Sequence, residues 1–288
     1  MVWSWWGFPG VVAFVVAALL AVVFVRLPGG PVNRDLARVL LLEGLFVAGS
    51  LGLLFCLEGR QPAAAVATVG AAASAALPFQ YLLFLGRALR TPLVKPFRTR
   101  SARIGLSLLA VGSAVGVAAN PNLVIGDFYT PGWAHWNFQV APTGLVVIGL
   151  QGAVSLFGLI AAMTALRRSG HGTIARTRAR WFVVAFGVRD AFAATVQILL
   201  PVLRPIPFWG DFIYNPLQGS MYLVYMVLLS YGVLNYQLFD IDLKIKLALK
   251  RSTVAAAFAG AFFLGSEVLE QLIPVGGSFS ACLRRWPR

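Results

Sequence analysis

The amino-acid sequence predicts an all-α integral membrane protein: a polytopic bundle of seven or eight transmembrane helices with its N-terminus outside. Of the 288 residues, 59% are hydrophobic and only 12% are charged, whereas soluble domains have about 25% charged residues. Apolar runs long enough to cross a bilayer recur along the chain, and the basic residues gather in every second connection between them. Lipid must therefore take the place of the charged shell that a soluble core would need.

Each spanning helix is predicted from a run of roughly 20 uncharged or nearly uncharged residues. None of the runs alternates with period two, and backbone in lipid must satisfy its own hydrogen bonds, so helices are expected. The eighth run carries two glutamates, so its composition alone does not decide whether it spans the membrane. The chain is predicted to divide into a seven-helix bundle (1–250) and a tail (251–288) with a candidate eighth helix. The runs cover residues 7–25, 39–57, 63–85, 104–119, 143–166, 181–203, 217–238 and 252–272.

The charges between the runs set the predicted orientation. The odd-numbered connections hold 18 of the 24 Lys and Arg residues, and the even-numbered ones hold only Arg60 and Arg204. Positive residues stay in the cytoplasm, so the basic connections are assigned there. The start of the chain has no basic n-region, and we expect no cleavable signal peptide. The sequence thus indicates a multi-pass protein of the cell membrane whose main partner is the lipid bilayer.

Several functional classes are disfavoured. The net charge of +14 does not indicate nucleic-acid binding, because the basic residues form no continuous face. Cys56 and Cys282 have no disulfide or metal-ligand spacing, and His135 and His171 are isolated. No nucleophile, zinc or phosphate-loop motif is present. We therefore expect no enzymatic activity, no metal site and no cofactor.

Aromatic residues crowd two of the predicted external loops, 120–142 and 204–216. One interpretation is an aromatic belt at the level of the lipid headgroups. A belt should be two-sided, however, and the inner loops hold few aromatic residues, so the alternative is a cap over a pocket for a small apolar or aromatic ligand. The candidate cap residues are Trp133, Trp136, Trp209 and Tyr214.

Polar residues within the apolar runs are functional candidates, because ionisable groups are costly in a bilayer. Arg189 and Asp190 are adjacent in the sixth run, and adjacent helical residues point about 100° apart, so both are expected to turn inward. Gln197 follows on the same face, seven residues after Asp190. Glu43 lies near the cytoplasmic end of the second run, at a depth suited to pairing with Arg189. These four residues indicate a structural ion pair or a functional polar network.

The most distinctive segment is MVLLSYGVLNYQLFDIDLKIKLALKRS, residues 226–252. It resembles the segment that closes the seven-helix N-terminal sensor region of bacterial and archaeal membrane histidine kinases and related signalling receptors. There, a pattern like Y-x-[IV]-x-x-[YF]-x-L-F-D-[IL] leads out to a cytoplasmic output domain. The stretch RTRARWFVVAFGVRD (176–190) is similar to the R-x-R-x-R entry of that region. The residues that fit the exit pattern are Tyr231, Val233, Tyr236, Leu238, Phe239, Asp240 and Ile241.

The resemblance implies a sensor or membrane-anchor region. After the exit segment the chain has no phosphoacceptor helix and no ATP-binding boxes, and it ends at SACLRRWPR. A basic tail on the outer side conflicts with the orientation, so we expect either that the eighth run does not span or that the chain is a fragment. The candidate signal exit is formed by Tyr236, Phe239, Asp240 and Asp242.

The expected function is therefore that of a sensor-like, signal-transducing membrane protein without a catalytic output domain of its own. Its expected partners are a cytoplasmic signalling protein or a separate output domain, and an oligomer is compatible with this class. The alternative is a small-molecule or ion transporter or channel. Its polar path would be lined by Gln151, Gln197, Gln218 and Asp190.

Overall fold

The computed structural model describes residues 7–26, 30–89, 91–130, 136–170, 174–203 and 217–236. These residues are mostly helical. The predicted eighth run and the division at residue 250 lie outside this part of the chain. Seven long helices fall within it: α1 (Phe8–Arg26), α2 (Gly30–Leu51), α3 (Arg60–Ala88), α4 (Arg100–Ala119), α5 (Gly144–Arg168), α6 (Ile174–Leu203) and α7 (Gln218–Tyr236).

Among the described residues, five helices are long and apolar enough to cross a membrane. They are α1 to α5, with α2 prolonged by a short 3-10 turn to Cys56. Each of the seven helices overlaps one of the predicted apolar runs, because backbone in lipid satisfies its own hydrogen bonds as a helix. The fold is that of a helical membrane protein with several candidate spans.

The second helix departs from the prediction at its start. It begins at Gly30 and not near residue 39, so that Arg34 and Arg38 lie in its first turns instead of in a connection. Asp35 in this segment is buried, and Arg87 of α3 donates a hydrogen bond to its carboxylate at 2.6 Å. This contact compensates the buried charge and so allows the segment to be helical. The charged segment is held against α3 by this ion pair.

Helices that are adjacent in the chain pack together in the pairs α1–α2, α2–α3, α3–α4, α5–α6 and α6–α7. α7 also packs on α1, and α3 contacts α5. α4 lies at the periphery and exposes much of its apolar surface, as a lipid-facing helix does. The main core is formed by α1, α2, α3, α5, α6 and α7 and includes stacked aromatic rings, such as Phe182 and Phe186 with ring centroids 4.5 Å apart.

The helices α2 and α3 cross in close backbone contact. A Cβ atom on Gly49 would lie 2.6 Å from the Cα atom of Gly70, so neither position accepts a side chain without movement. Close backbone contact of this kind is how small residues drive helix association in membranes.

The 120–142 loop contains a small β-hairpin, which the all-α prediction did not include. Strands β1 (Ile125–Tyr129) and β2 (Asn137–Val140) pair antiparallel, with Phe128 opposite Phe138. The strands are rich in aromatic and β-branched residues, which suit strands, and their pairing satisfies backbone groups outside the helices. The hairpin lies at one end of the bundle. At the other end of the bundle, Asp35 near the start of α2 pairs with Arg87 in the last turn of α3.

Candidate functional site

The most unusual part of the structure is a group of buried charges between the helices. We define the ionic cluster as Glu43 from α2, Tyr81 from α3, and Arg189 and Asp190 from α6. Glu43 and Asp190 are 0% exposed and Arg189 is 6% exposed. Buried charges are rare unless they are paired and hydrogen-bonded, so the contacts within the cluster decide what it can do.

One guanidinium group binds two carboxyl groups from different helices. The Nε atom of Arg189 donates to Oδ1 of Asp190 at 2.8 Å, and Nη2 donates to the same oxygen. The Nη1 atom of Arg189 donates to Oε1 of Glu43. The Tyr81 hydroxyl donates to Oδ2 of Asp190 at 2.6 Å. Charge-assisted bonds of this kind are about twice as strong as neutral ones, so the cluster joins α2, α3 and α6 firmly.

Aromatic rings surround the guanidinium group. Its central carbon lies 4.1 Å from the ring centroid of Tyr81 and 5.2 Å from those of Phe186 and Tyr225. Cations are attracted to the faces of such rings, more strongly where water is absent. Tyr225 belongs to α7, so Arg189 contacts side chains from α2, α3, α6 and α7.

α5 covers the cluster with backbone instead of a side chain. A Cβ atom on Gly158 would lie 2.7 Å from Oδ2 of Asp190 and 2.8 Å from the Tyr81 hydroxyl. Gly149, on the same helix, has nothing within 4 Å of the corresponding position. The absence of a side chain at residue 158 is therefore what lets α5 pack against the Tyr81–Asp190 hydrogen bond.

Two small cavities lie near the cluster, each of about 20 Å³, which is room for about one water molecule. The first is lined by Glu43, Ser155 and Arg189, among others. The second lies beneath the hairpin and is lined by residues that include Ser74 and Gln218. Gln151 lines both cavities, and its amide donates to the carbonyl and the hydroxyl oxygens of Ser74 at 2.8 and 2.7 Å.

The lining of each cavity also includes a buried side-chain oxygen that has no hydrogen-bond partner among the described residues. Oε2 of Glu43 and Oε1 of Gln218 are buried and accept no hydrogen bond from the described residues. The Tyr225 hydroxyl is also buried and faces the Glu43 carboxyl group. Buried polar atoms of this kind are normally satisfied by internal water, and both cavities have the size for it.

Of the predicted polar network, the structure brings together Glu43, Arg189 and Asp190. The Glu43–Arg189 pairing expected from depth is present, and both residues of α6 turn inward. The backbone of Gln197 lies in α6, and its side chain is outside the described residues.

The candidate cap and the candidate exit are described only in part. The indole of Trp136 donates to the backbone carbonyl of Glu58 at 3.1 Å, which holds the hairpin against the start of α3. Tyr236 ends α7, and its side chain is not described. The residues of the two sets that lie outside the described part are Trp133, Trp209, Tyr214, Phe239, Asp240 and Asp242.

Sequence reasoning missed Tyr81, Tyr225 and Gly158. A tyrosine or a glycine in an apolar run has no distinctive pattern, because both are common packing residues there. Tyr81 does lie in the apolar run of α3 with a hydroxyl that needs a partner, and this is the signal that could have identified it.

No protein-family model, curated protein or solved structure matches the chain. The class of protein is therefore defined by the fold and the site: a helical membrane protein with a buried ionic cluster at the junction of its helices. Within the described residues, no group of three or more His, Cys, Asp or Glu side chains is placed to hold a metal ion.

Proposed function

We propose that the chain is a multi-pass cell-membrane protein with seven or eight spanning helices and an external N-terminus. The distribution of charge supports this topology, since 18 of the 24 Lys and Arg residues fall in the odd-numbered connections. The hairpin end is then external and the basic end is cytoplasmic.

Reporter fusions test the topology. We expect fusions at residues 100 and 175 to report a cytoplasmic location, and fusions at 130 and 210 to report an external one. A cytoplasmic signal at 130 would contradict the whole assignment, because the two connections that flank this segment carry 11 of the 18 basic residues.

We propose further that the protein is a sensor-like signal transducer, which passes a change on its outer side through α6 and α7 to the segment after Tyr236. A cytoplasmic signalling protein or an output domain would receive the signal. The observation that carries this proposal is the contact of one arginine, Arg189, with side chains from four helices.

The energetics of the ionic cluster suit a switch. In a low-dielectric interior an unpaired charge is costly, so the helices favour arrangements in which every charged group keeps a partner. A shift of α2, α3 or α7 would require Arg189 to exchange one set of contacts for another. Packed elements that have discrete arrangements are the usual carriers of conformational signals.

A chimera tests the signalling proposal directly. The chain is fused after Ile245 to a kinase output module, and output is measured for Arg189→Lys, Trp136→Phe and Asp240→Ala. Lysine keeps the charge but cannot bind two carboxylates with a planar fork, so Arg189→Lys should change the basal output. Thr195→Val is the matched control, since among the described residues this exposed residue of α6 bonds only its own helix, to the Ala191 carbonyl at 2.7 Å.

The signalling proposal fails if the folded Arg189→Lys chimera has the same output as Thr195→Val. Output that responds to Asp240→Ala, but to neither Arg189→Lys nor Trp136→Phe, would leave a membrane anchor and no sensor.

A transporter or channel is the second candidate function. It is supported by two cavities that both have Gln151 in their lining, and by the buried Oε1 of Gln218, which has no hydrogen-bond partner among the described residues. Cavities that each hold one water suit a proton or water more than an organic solute. Flux of protons or water is measured in vesicles that contain the reconstituted protein. A flux that Gln151→Leu abolishes favours this candidate, and no flux in vesicles with the wild-type protein opposes it.

A further inference from the structure

We infer that Glu43 is a proton-binding site inside the membrane, and that its proton is exchanged from the hairpin end by way of the two small cavities and Gln151. This goes beyond the signalling proposal and does not require it. The side from which the proton enters rests on the proposed topology, in which the hairpin end is external.

The ionic cluster has more acidic groups than basic ones. Two carboxyl groups, Glu43 and Asp190, share the single guanidinium of Arg189. The other titratable groups that face Glu43 are the hydroxyls of Tyr81 from α3 and Tyr225 from α7. The ionisable residues of α1 and α5 lie only at the basic ends of those helices. With both acids ionised, the cluster would hold a net buried negative charge, which is costly in a low-dielectric interior.

The hydrogen bonds show which acid carries the proton. Asp190 accepts from two nitrogens of Arg189 on one oxygen and from the Tyr81 hydroxyl on the other. Glu43 accepts an ion-pair bond from Arg189 on Oε1, whereas among the described residues its Oε2 accepts no bond of good geometry, and the neutral Tyr225 hydroxyl is a further donor that faces the carboxyl group. Donors stabilise the ionised form of a carboxyl group. Asp190 is therefore the anion that pairs with Arg189, and Oε2 of Glu43 is the atom that binds the proton.

The cavities provide the route. The first cavity lies against Glu43, and the second lies beneath Val124, Phe138 and Val140 at the hairpin end. Gln151 lines both. With one water molecule in each cavity, a proton from external water would pass to the water beneath the hairpin, then to the water beside Glu43, and then to Oε2. The carboxylate becomes a neutral acid on binding the proton, and release follows the reverse order.

Infrared spectroscopy of the whole protein in nanodiscs tests the proton site. A protonated carboxyl group absorbs separately from a carboxylate, and labelling with ¹³C-glutamate or ¹³C-aspartate assigns the band without any mutation. We expect a protonated-carboxyl band at neutral pH that shifts with the glutamate label and is absent from Glu43→Gln. A band that shifts with the aspartate label, or no band in the wild type, would overturn the proposal.

The route is tested by the rate at which that band exchanges its proton for deuterium. Gln151→Leu should slow exchange by about tenfold or more, which corresponds to an added barrier of about 1.4 kcal/mol. Thr164→Val is the matched control on α5, because within the described part of the chain its hydroxyl bonds only the Ile160 carbonyl of its own helix, at 2.8 Å, and it lines neither cavity. Equal exchange rates in the two variants would overturn the route while leaving the proton site standing.

Discussion

Replacing Gly158 with alanine should destabilise the protein, whereas the same replacement at Gly149 should not. Both glycines lie on α5. The new Cβ atom at residue 158 would lie 2.7 Å from Oδ2 of Asp190 and 2.8 Å from the Tyr81 hydroxyl, where 3.4 Å or more is ordinary contact. At residue 149 there is nothing within 4 Å.

The magnitude follows from three contributions. Overpacking a well-packed site costs about 1–3 kcal/mol. The two atoms that the methyl group would displace are the donor and acceptor of one charge-assisted hydrogen bond, whose loss costs about 1.5–3 kcal/mol. Alanine gains about 0.5–1 kcal/mol over glycine within a helix. We therefore expect Gly158→Ala to lower the free energy of unfolding by about 2–5 kcal/mol, and Gly149→Ala to raise it by up to about 1 kcal/mol.

Reversible unfolding in mixed detergent micelles, followed by circular dichroism, measures the difference. Both variants change glycine to alanine on one helix, so the helix-propensity contribution cancels between them. If Gly158→Ala proved as stable as Gly149→Ala, then α5 would not pack against the ionic cluster as described, and the coupling of five helices at this point would be refuted.

Three further predictions use the same unfolding measurement. Gly49→Ala should lower the free energy of unfolding by about 1–3 kcal/mol, because it overpacks the α2–α3 crossing. Gly112→Ala, with open space at its Cβ position among the described residues, should leave the stability unchanged. Equal stabilities of the two variants would refute the close crossing. Arg189→Leu should cost about 3–5 kcal/mol because it leaves buried acids unpaired, and Glu43→Leu should cost less because the adjacent aspartate still pairs the arginine; the reverse order would contradict the hydrogen-bond assignment. Trp136→Phe should cost about 1 kcal/mol through its lost indole hydrogen bond, and a neutral result would remove that bond as an anchor of the hairpin.

The helices were predictable because apolar runs of this length have few alternatives in a bilayer. The Glu43–Arg189 pairing was also predictable, because a charge inside such a run needs a partner and few candidates exist at that depth. The start of α2 was placed too late, since the pattern of charge around Asp35 is that of a loop until its partner Arg87 is known.

Other features depend on the rotation and depth of helices, which an evenly apolar run does not encode. The Gly112–Gly116 spacing is typical of helix contacts, yet both positions face open space in the described part of the chain. Close approaches are made by Gly49 and Gly158, neither of which has a second glycine four residues away. The hairpin was missed because its strands are only five and four residues long and lie in a loop outside the long apolar runs.

The separation of the paired charges along the chain has a consequence for biosynthesis. Glu43 and Arg189 are 146 residues apart, and ribosomes add about 5–20 residues per second. The acid of α2 therefore enters the translocon about 7–30 s before the cation that will bind it. During this interval α2 can already be held by Gly70 and Arg87 of α3. A nascent chain that stops before α6 would leave Glu43 without its arginine partner in the membrane. We expect membrane quality control to degrade such a truncated chain.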